Sequence, residues 1–152
     1  MTKNIKFIAA DMDGTLLDEH SQLPPSFYPL YQKPLDNKVM FAAASGRQYY
    51  SLLQTFEPIK ESMYFIAENG TMVMHQGQEL YSCTIPYSEI KSIVKRARLI
   101  EGAHIVLCGK NSAYVETDDK NALAEFSKYY HRCENVVDVL AVEDEFIKVA
   151  IC

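Results

Sequence analysis

The sequence predicts an α/β protein: a doubly wound parallel sheet followed by a small α+β unit. Three observations carry this. Apolar runs of strand length alternate with helix-period segments as far as residue 67. Each of the first three runs stops at a polar cluster. After residue 84 the succession becomes helix–strand–strand–helix–strand–strand. The chain has 152 residues, room for one domain or two small ones. The boundary falls near residues 83–86, giving a core over 1–84 and a second unit over 85–152.

Ile5-Lys6-Phe7-Ile8-Ala9-Ala10 reads as a strand covered on both faces, because its apolar run is nearly continuous. Residues 21–37 contain Pro24, Pro25, Pro29 and Pro34; a short helix is expected there, interrupted or kinked by Pro29 and Pro34. Val39 to Ala44 is the second strand, closed by Ser45-Gly46. Tyr49, Leu52, Leu53 and Phe56 recur at helical spacing, and Pro58 ends that helix. Met63 to Ala67 is the third strand, closed by Glu68-Asn69-Gly70. Thr71–His75 and Glu79–Thr84 form a hairpin around Gln76-Gly77-Gln78. An amphipathic helix is expected over 86–100, with Ser88 as its cap. Strands over 104–108 and 113–116, a helix over 121–130, and strands over 136–142 and 146–152 complete the order.

The composition narrows the function. Apolar residues make up 48% of the chain, which argues against disorder. Net charge is -5, and no basic cluster is longer than Lys95-Arg96-Ala97-Arg98. An acidic chain without a basic stripe is a poor nucleic-acid binder, yet it can hold one phosphate through a metal ion and backbone N–H groups. Cys83, Cys108, Cys133 and Cys152 form no CxxC pair and read as reduced thiols of a cytoplasmic protein. The apolar run ending at Asp11 is too short for a signal peptide or a membrane span. His20, His75, His104 and His131 lack ligand-like spacing, so zinc is not expected.

The chemistry gathers at three strand ends. Asp11-Met12-Asp13-Gly14-Thr15, Ser45-Gly46-Arg47 and Glu68-Asn69-Gly70 each follow a strand, at the sheet edge where open α/β sheets bind ligands. Asp11 and Asp13 are two apart, so both carboxylates can face one side. Such a pair suits a nucleophile and a general acid–base, and attracts Mg2+. Gly14 permits a tight turn, and Thr15 can fix the loop by hydrogen bonding.

The run Asp11-Met12-Asp13-Gly14-Thr15-Leu16-Leu17-Asp18 resembles the first motif of the haloacid dehalogenase (HAD) superfamily of phosphatases. Ala44-Ser45-Gly46-Arg47 is similar to the second motif in its Cof-type, class IIB sugar-phosphatase branch, and Glu68-Asn69-Gly70 also resembles that branch. The resemblance implies a Rossmann-like core with an α+β cap, and an Mg2+-dependent phosphatase acting on a small phosphorylated metabolite such as a sugar phosphate. It implies Asp11 as the nucleophile that becomes an aspartyl-phosphate, and Asp13 as the acid and base. Mg2+ falls to Asp11 and Asp13, through the carboxylate of the first and the carbonyl of the second. Met12, Ser45 and Gly46 fall to the phosphoryl group, helped by the N-terminus of a helix starting there. Thr15, Arg47 and Asn69 fall to the substrate rim.

Part of the family pattern is absent. The family's later lysine, and its Gly-Asp followed by Asn-Asp, have no counterpart: there is no Gly-Asp pair in the chain. Asp118-Asp119 and Glu143-Asp144-Glu145 read as solvated loops, Lys148 as a structural strand lysine, and Tyr129-Tyr130-His131 as packing. The chain stops at Cys152 inside an expected strand. It therefore reads as the N-terminal part of the core plus the first part of the cap, with an exposed edge beside the first strand. Three other readings stand beside the phosphatase: a sugar phosphomutase, a catalytically incomplete fragment that binds without turnover, and a receiver-like module. The last is disfavoured because the third strand ends in Glu68-Asn69 rather than an accepting aspartate.

Overall fold

The computed structural model describes residues 4–152. The chain divides into two units, Met1–Tyr81 and Ser82–Cys152. The first holds β1 (Phe7–Asp11), α1 (Phe27–Asp36), β2 (Met40–Ala44), α2 (Tyr49–Thr55), β3 (Tyr64–Ala67), β4 (Met72–His75) and β5 (Gln78–Ser82). These strands form one sheet in the order β1-β2-β3-β4-β5. β1–β2 and β2–β3 are parallel, and β3–β4 is antiparallel. α1 and α2 make the two crossovers that parallel pairing requires. The parallel strands step away from β1 in one direction, which is one half of a doubly wound arrangement.

Aromatic packing fixes the helices to this sheet. Phe27 and Tyr31 of α1 stack at 5.8 Å, and Tyr31 meets Phe41 of β2 edge-on at 5.4 Å. Phe56, fully buried, bridges Phe27 to Phe65 of β3. The β4–β5 turn places Gln76 at φ 50° and Gly77 at φ 73°. Two successive left-handed residues match the twist of a tight hairpin.

Three expectations for this unit change. β1 is not covered on both faces: it is an edge strand paired only with β2, and Phe7 and Ile8 remain 42% and 36% exposed. No strand among the described residues pairs with its free side. Pro29 and Pro34 do not break α1. Pro29 is its third residue, where the backbone N–H has no intrahelical partner anyway, and Pro34 lies in the last turn. The helix after β2 begins at Tyr49, with Gln48 as its N-cap. Ser45, Gly46 and Arg47 thus stand in a loop before it rather than at the start of the helix.

The second unit holds α3 (Tyr87–Ala97), β6 (Ile105–Gly109), β7 (Ala113–Val115), α4 (Lys120–Tyr129), β8 (Cys133–Asn135) and β9 (Phe146–Ile151). Its sheet order is β8-β7-β6-β9. Ile90, Val94 and Ala97 of α3 pack on Ile105, Leu107, Tyr114 and Phe146 of the sheet. The cap of α3 is Pro86, not Ser88. Residues 136–142 form no strand; Val139–Ala141 is a single 3-10 turn. Side-chain acceptors take the donors a ladder would need: Val139 N–H donates to Glu116 Oε2 (3.0 Å) and Leu140 N–H to Asp138 Oδ1 (2.8 Å).

Two acidic loops also prove structural. Asp119 caps α4, accepting from Asn121 N–H at 2.8 Å. Asp144 accepts from Asn111 N–H (3.0 Å), Asn111 Nδ2 (3.0 Å) and the Tyr114 hydroxyl (2.9 Å). Lys148 lies over the Tyr130 ring at 5.4 Å, a packing contact. Among the described residues no helix is long and apolar enough to cross a membrane.

Candidate active site

Parallel register brings the three polar clusters together. Asp11 pairs with Ala44, and Ala44 with Ile66, so the strands end level and their following loops share one sheet edge. Those loops enclose an open cavity of about 310 Å³ lined by Asp11, Ala44, Ser45, Gly46, Ile66, Asn69 and Gly70. Four of the residues expected at the site, Asp11, Ser45, Gly46 and Asn69, therefore line one space.

The loop after β1 is shaped by its main chain. Gly14 takes φ 77°, and Leu17 N–H closes the turn on Met12 O at 2.9 Å. The exposed Thr15 hydroxyl is not what closes it. Met12, expected at the phosphoryl group, is fully buried and is not among the residues that line the cavity. Asp18, at the end of the motif, accepts from His20 N–H and Gln22 N–H, both at 2.9 Å, and folds the chain back after Leu17.

Asp13 does not reach the cavity wall. Its carboxylate is held by Arg47: Nε donates to Oδ2 at 3.2 Å and Nη2 to Oδ1 at 2.6 Å. This fork-to-fork pair keeps the Asp13 carboxyl below its usual range, against a smaller opposing effect of burial. Sequence reasoning placed both residues at the site and missed that they bind each other. No spacing rule joins positions 34 apart.

The second and third loops are laced together. Ser45 N–H donates to Ile66 O (2.9 Å), Asn69 N–H to Ser45 O (3.1 Å) and Glu68 N–H to Arg47 O (3.1 Å). Arg47 N–H donates to Ser45 Oγ at 3.1 Å. Glu68 and Asn69 are both left-handed, at φ 53° and 60°, an uncommon conformation that asparagine tolerates better than most residues.

The donor set suits a hard cation in part. Asp11 and the Asp13 carbonyl are oxygen donors, as Mg2+ prefers, and that ion commonly keeps water and substrate oxygens in its remaining positions. Among the described residues no group of three His, Cys, Asp or Glu side chains could hold a metal by itself.

Comparison with known proteins decides the family. The model of the haloacid dehalogenase-like hydrolase family matches residues 8–152. The chain belongs to the haloacid dehalogenase-like hydrolases. Within that family it is 35% identical over 147 residues to the 5-amino-6-(5-phospho-D-ribitylamino)uracil phosphatase YbjI of Escherichia coli, a match covering 95% of this chain and 54% of the relative. Among solved structures, SMU.1108c from Streptococcus mutans superposes with a TM-score of 0.87 at 25% identity, over 97% of this chain and 56% of that one. The HAD subclass IIB sugar phosphatase BT4131 shares the fold, with a TM-score of 0.72 at 19% identity, over 96% of this chain and 58% of that one. The chain thus spans little more than half the length of these HAD relatives.

Proposed function

We propose that this chain carries the nucleophile half of a phosphatase site, and that the protein hydrolyses the phosphate ester of a small, sugar-like metabolite. One observation carries the reading: Asp11 ends β1 on the wall of a cavity it shares with Ser45, Gly46 and Asn69. The E. coli relative is named for a phosphorylated ribityl compound, which supports the substrate class.

In this reading an Asp11 carboxylate oxygen attacks phosphorus in line, and the ester oxygen leaves. Asp13 supplies the proton that leaving oxygen needs. The resulting aspartyl-phosphate is then cleaved by water, whose proton returns to Asp13. Ser45 and the Gly46 N–H hold the phosphoryl oxygens. The Asp11 carboxylate and the Asp13 carbonyl would hold Mg2+, which would supply positive charge to the transferring phosphoryl group. Arg47 is engaged by Asp13, and a phosphate dianion competes for the same guanidinium. Its transfer to phosphate frees Asp13 for proton transfer.

The test is hydrolysis of p-nitrophenyl phosphate and a sugar-phosphate panel by the full-length protein, with and without Mg2+. Turnover that needs Mg2+ and disappears in Asp11→Asn is expected. The 152-residue chain lacks the family's later lysine and Gly-Asp motif, so its own rate should fall by ~10²-fold or more, the usual cost of losing one charge-stabilising group. Undiminished turnover by Asp11→Asn would sink the proposal.

A further inference from the structure

We propose that Asn69 is a positioning residue, whose side chain sets the course of the Ser45–Arg47 loop and hence where the Gly46 N–H can meet a phosphoryl oxygen. The inference rests on the phosphatase reading above and gives Asn69 a different task from the substrate rim. Its basis is a close approach. A Cβ on Gly46 would stand 2.6 Å from Asn69 Oδ1 and 3.3 Å from Asn69 Cγ. The carboxamide therefore lies directly against the Gly46 main chain, and position 46 has no room for a side chain while Asn69 is present. Gly46 is needed here for that contact, not for a left-handed φ.

The placement of Asn69 is itself over-determined. Its left-handed φ of 60° turns the chain just after β3. Its N–H is tied to Ser45 O at 3.1 Å, and the preceding N–H of Glu68 to Arg47 O at 3.1 Å. The Thr71 hydroxyl donates to Glu68 O at 2.8 Å and closes the turn from behind. Two main-chain bonds and one side-chain contact thus clamp three consecutive residues of the loop, and Ser45, Gly46 and Asn69 line the same cavity as Asp11. A loop held in this way presents its N–H groups without reorganising when an anion arrives, which is where such donors gain their effect.

The experiment is a double-mutant cycle in the 15N-labelled full-length protein. Its variants are Asn69→Gly, which keeps the left-handed backbone but removes the carboxamide, Gly46→Ala, and the pair. Thermal unfolding and amide spectra are read first, then titration with inorganic phosphate in the presence of Mg2+. Asn69→Gly should unfold cooperatively, shift the Gly46 and Arg47 amide signals, and weaken phosphate binding by about 10-fold, less than the loss a full misplacement causes. Gly46→Ala should be destabilised in the native background, and much less so beside Gly at 69, where its methyl has space. An alanine penalty that is the same in both backgrounds overturns the proposal. So does native phosphate affinity in Asn69→Gly. Failure of the unaltered full-length protein to bind phosphate overturns the phosphatase reading and the functional half of this one, while the 46–69 coupling is still read from stability alone.

Discussion

Arg47 grips Asp13 at both carboxylate oxygens, with Nη2 to Oδ1 at 2.6 Å and Nε to Oδ2 at 3.2 Å. The pair joins the loop after β1 to the loop after β2. It also stabilises the ionised form of the residue assigned to proton donation, so the arrangement belongs to the site before substrate arrives.

Arg47→Ala should let the Asp13 carboxyl return upward toward its ordinary value of 3.8, read by carbon NMR of that carboxyl against pH. The sign for stability follows. A carboxyl depressed in the folded state stabilises above its unfolded pKa, and the effect is lost as pH falls through the lowered value. The native chain should therefore exceed Arg47→Ala near neutrality and converge with it in acid. Asp13 is 59% exposed, so solvent screening limits the gap to about 0–1 kcal/mol.

Arg98 organises the second unit. It donates to both Glu116 oxygens, at 2.6 and 2.7 Å, and to Asp138 at 2.6 Å, while Glu116 also holds Val139 N–H. Arg98→Met should cost roughly 1–3 kcal/mol in denaturant unfolding, because Glu116, only 18% exposed, loses its cation. The Glu116 carboxyl is lowered chiefly by its bond to Arg98. The difference between native and variant should thus be full above about 4.5, its ordinary value, and shrink as acid protonates it. A gap that stays the same as the pH falls well below that value would refute the assignment.

Gly109→Ala should destabilise the second unit by about 1–3 kcal/mol, the usual range for forced overpacking. Its Cβ would collide with the Asp144 carboxylate, which secures Asn111 and the Tyr114 hydroxyl. Chemical denaturation monitored by tyrosine fluorescence is the measurement, and a shift of the midpoint to lower denaturant is expected.

β1 offers an unpaired, apolar edge with Phe7 and Ile8 42% and 36% exposed. The 152-residue chain should self-associate with rising concentration, and Ile8→Lys should suppress this, since charge on an edge strand opposes strand addition. Light scattering across a dilution series decides it.

The strand ends and their polar clusters were legible because each is a local signal: an apolar run, then acid, serine or asparagine with glycine. The hairpin at Gln76-Gly77 was legible for the same reason. Errors arose where side-chain hydrogen bonds or an unread helix start outbid the local pattern. Residues 136–142 have strand propensity, but Glu116 and Asp138 capture the Val139 and Leu140 donors. Asp144 looked solvated because its partners Asn111 and Tyr114 lie at least 30 residues away. Pro29 looked disruptive because the start of α1 at Phe27, which puts it in the first turn, was not read from the sequence.

By itself the sequence determined which residues could do chemistry and in which loops they stand, because the Asp11–Asp13 spacing, Ser45-Gly46-Arg47 and Glu68-Asn69-Gly70 are contiguous motifs at the ends of apolar runs. Only the tertiary structure decided how those residues divide. Parallel register levels Asp11 with Ala44 and Ile66 and places Asp11, Ser45, Gly46 and Asn69 on one cavity. The same packing turns Asp13 to Arg47 and presses Asn69 against Gly46. Those pairings depend on where three separate loops meet in space, and sequence distance carries no record of that.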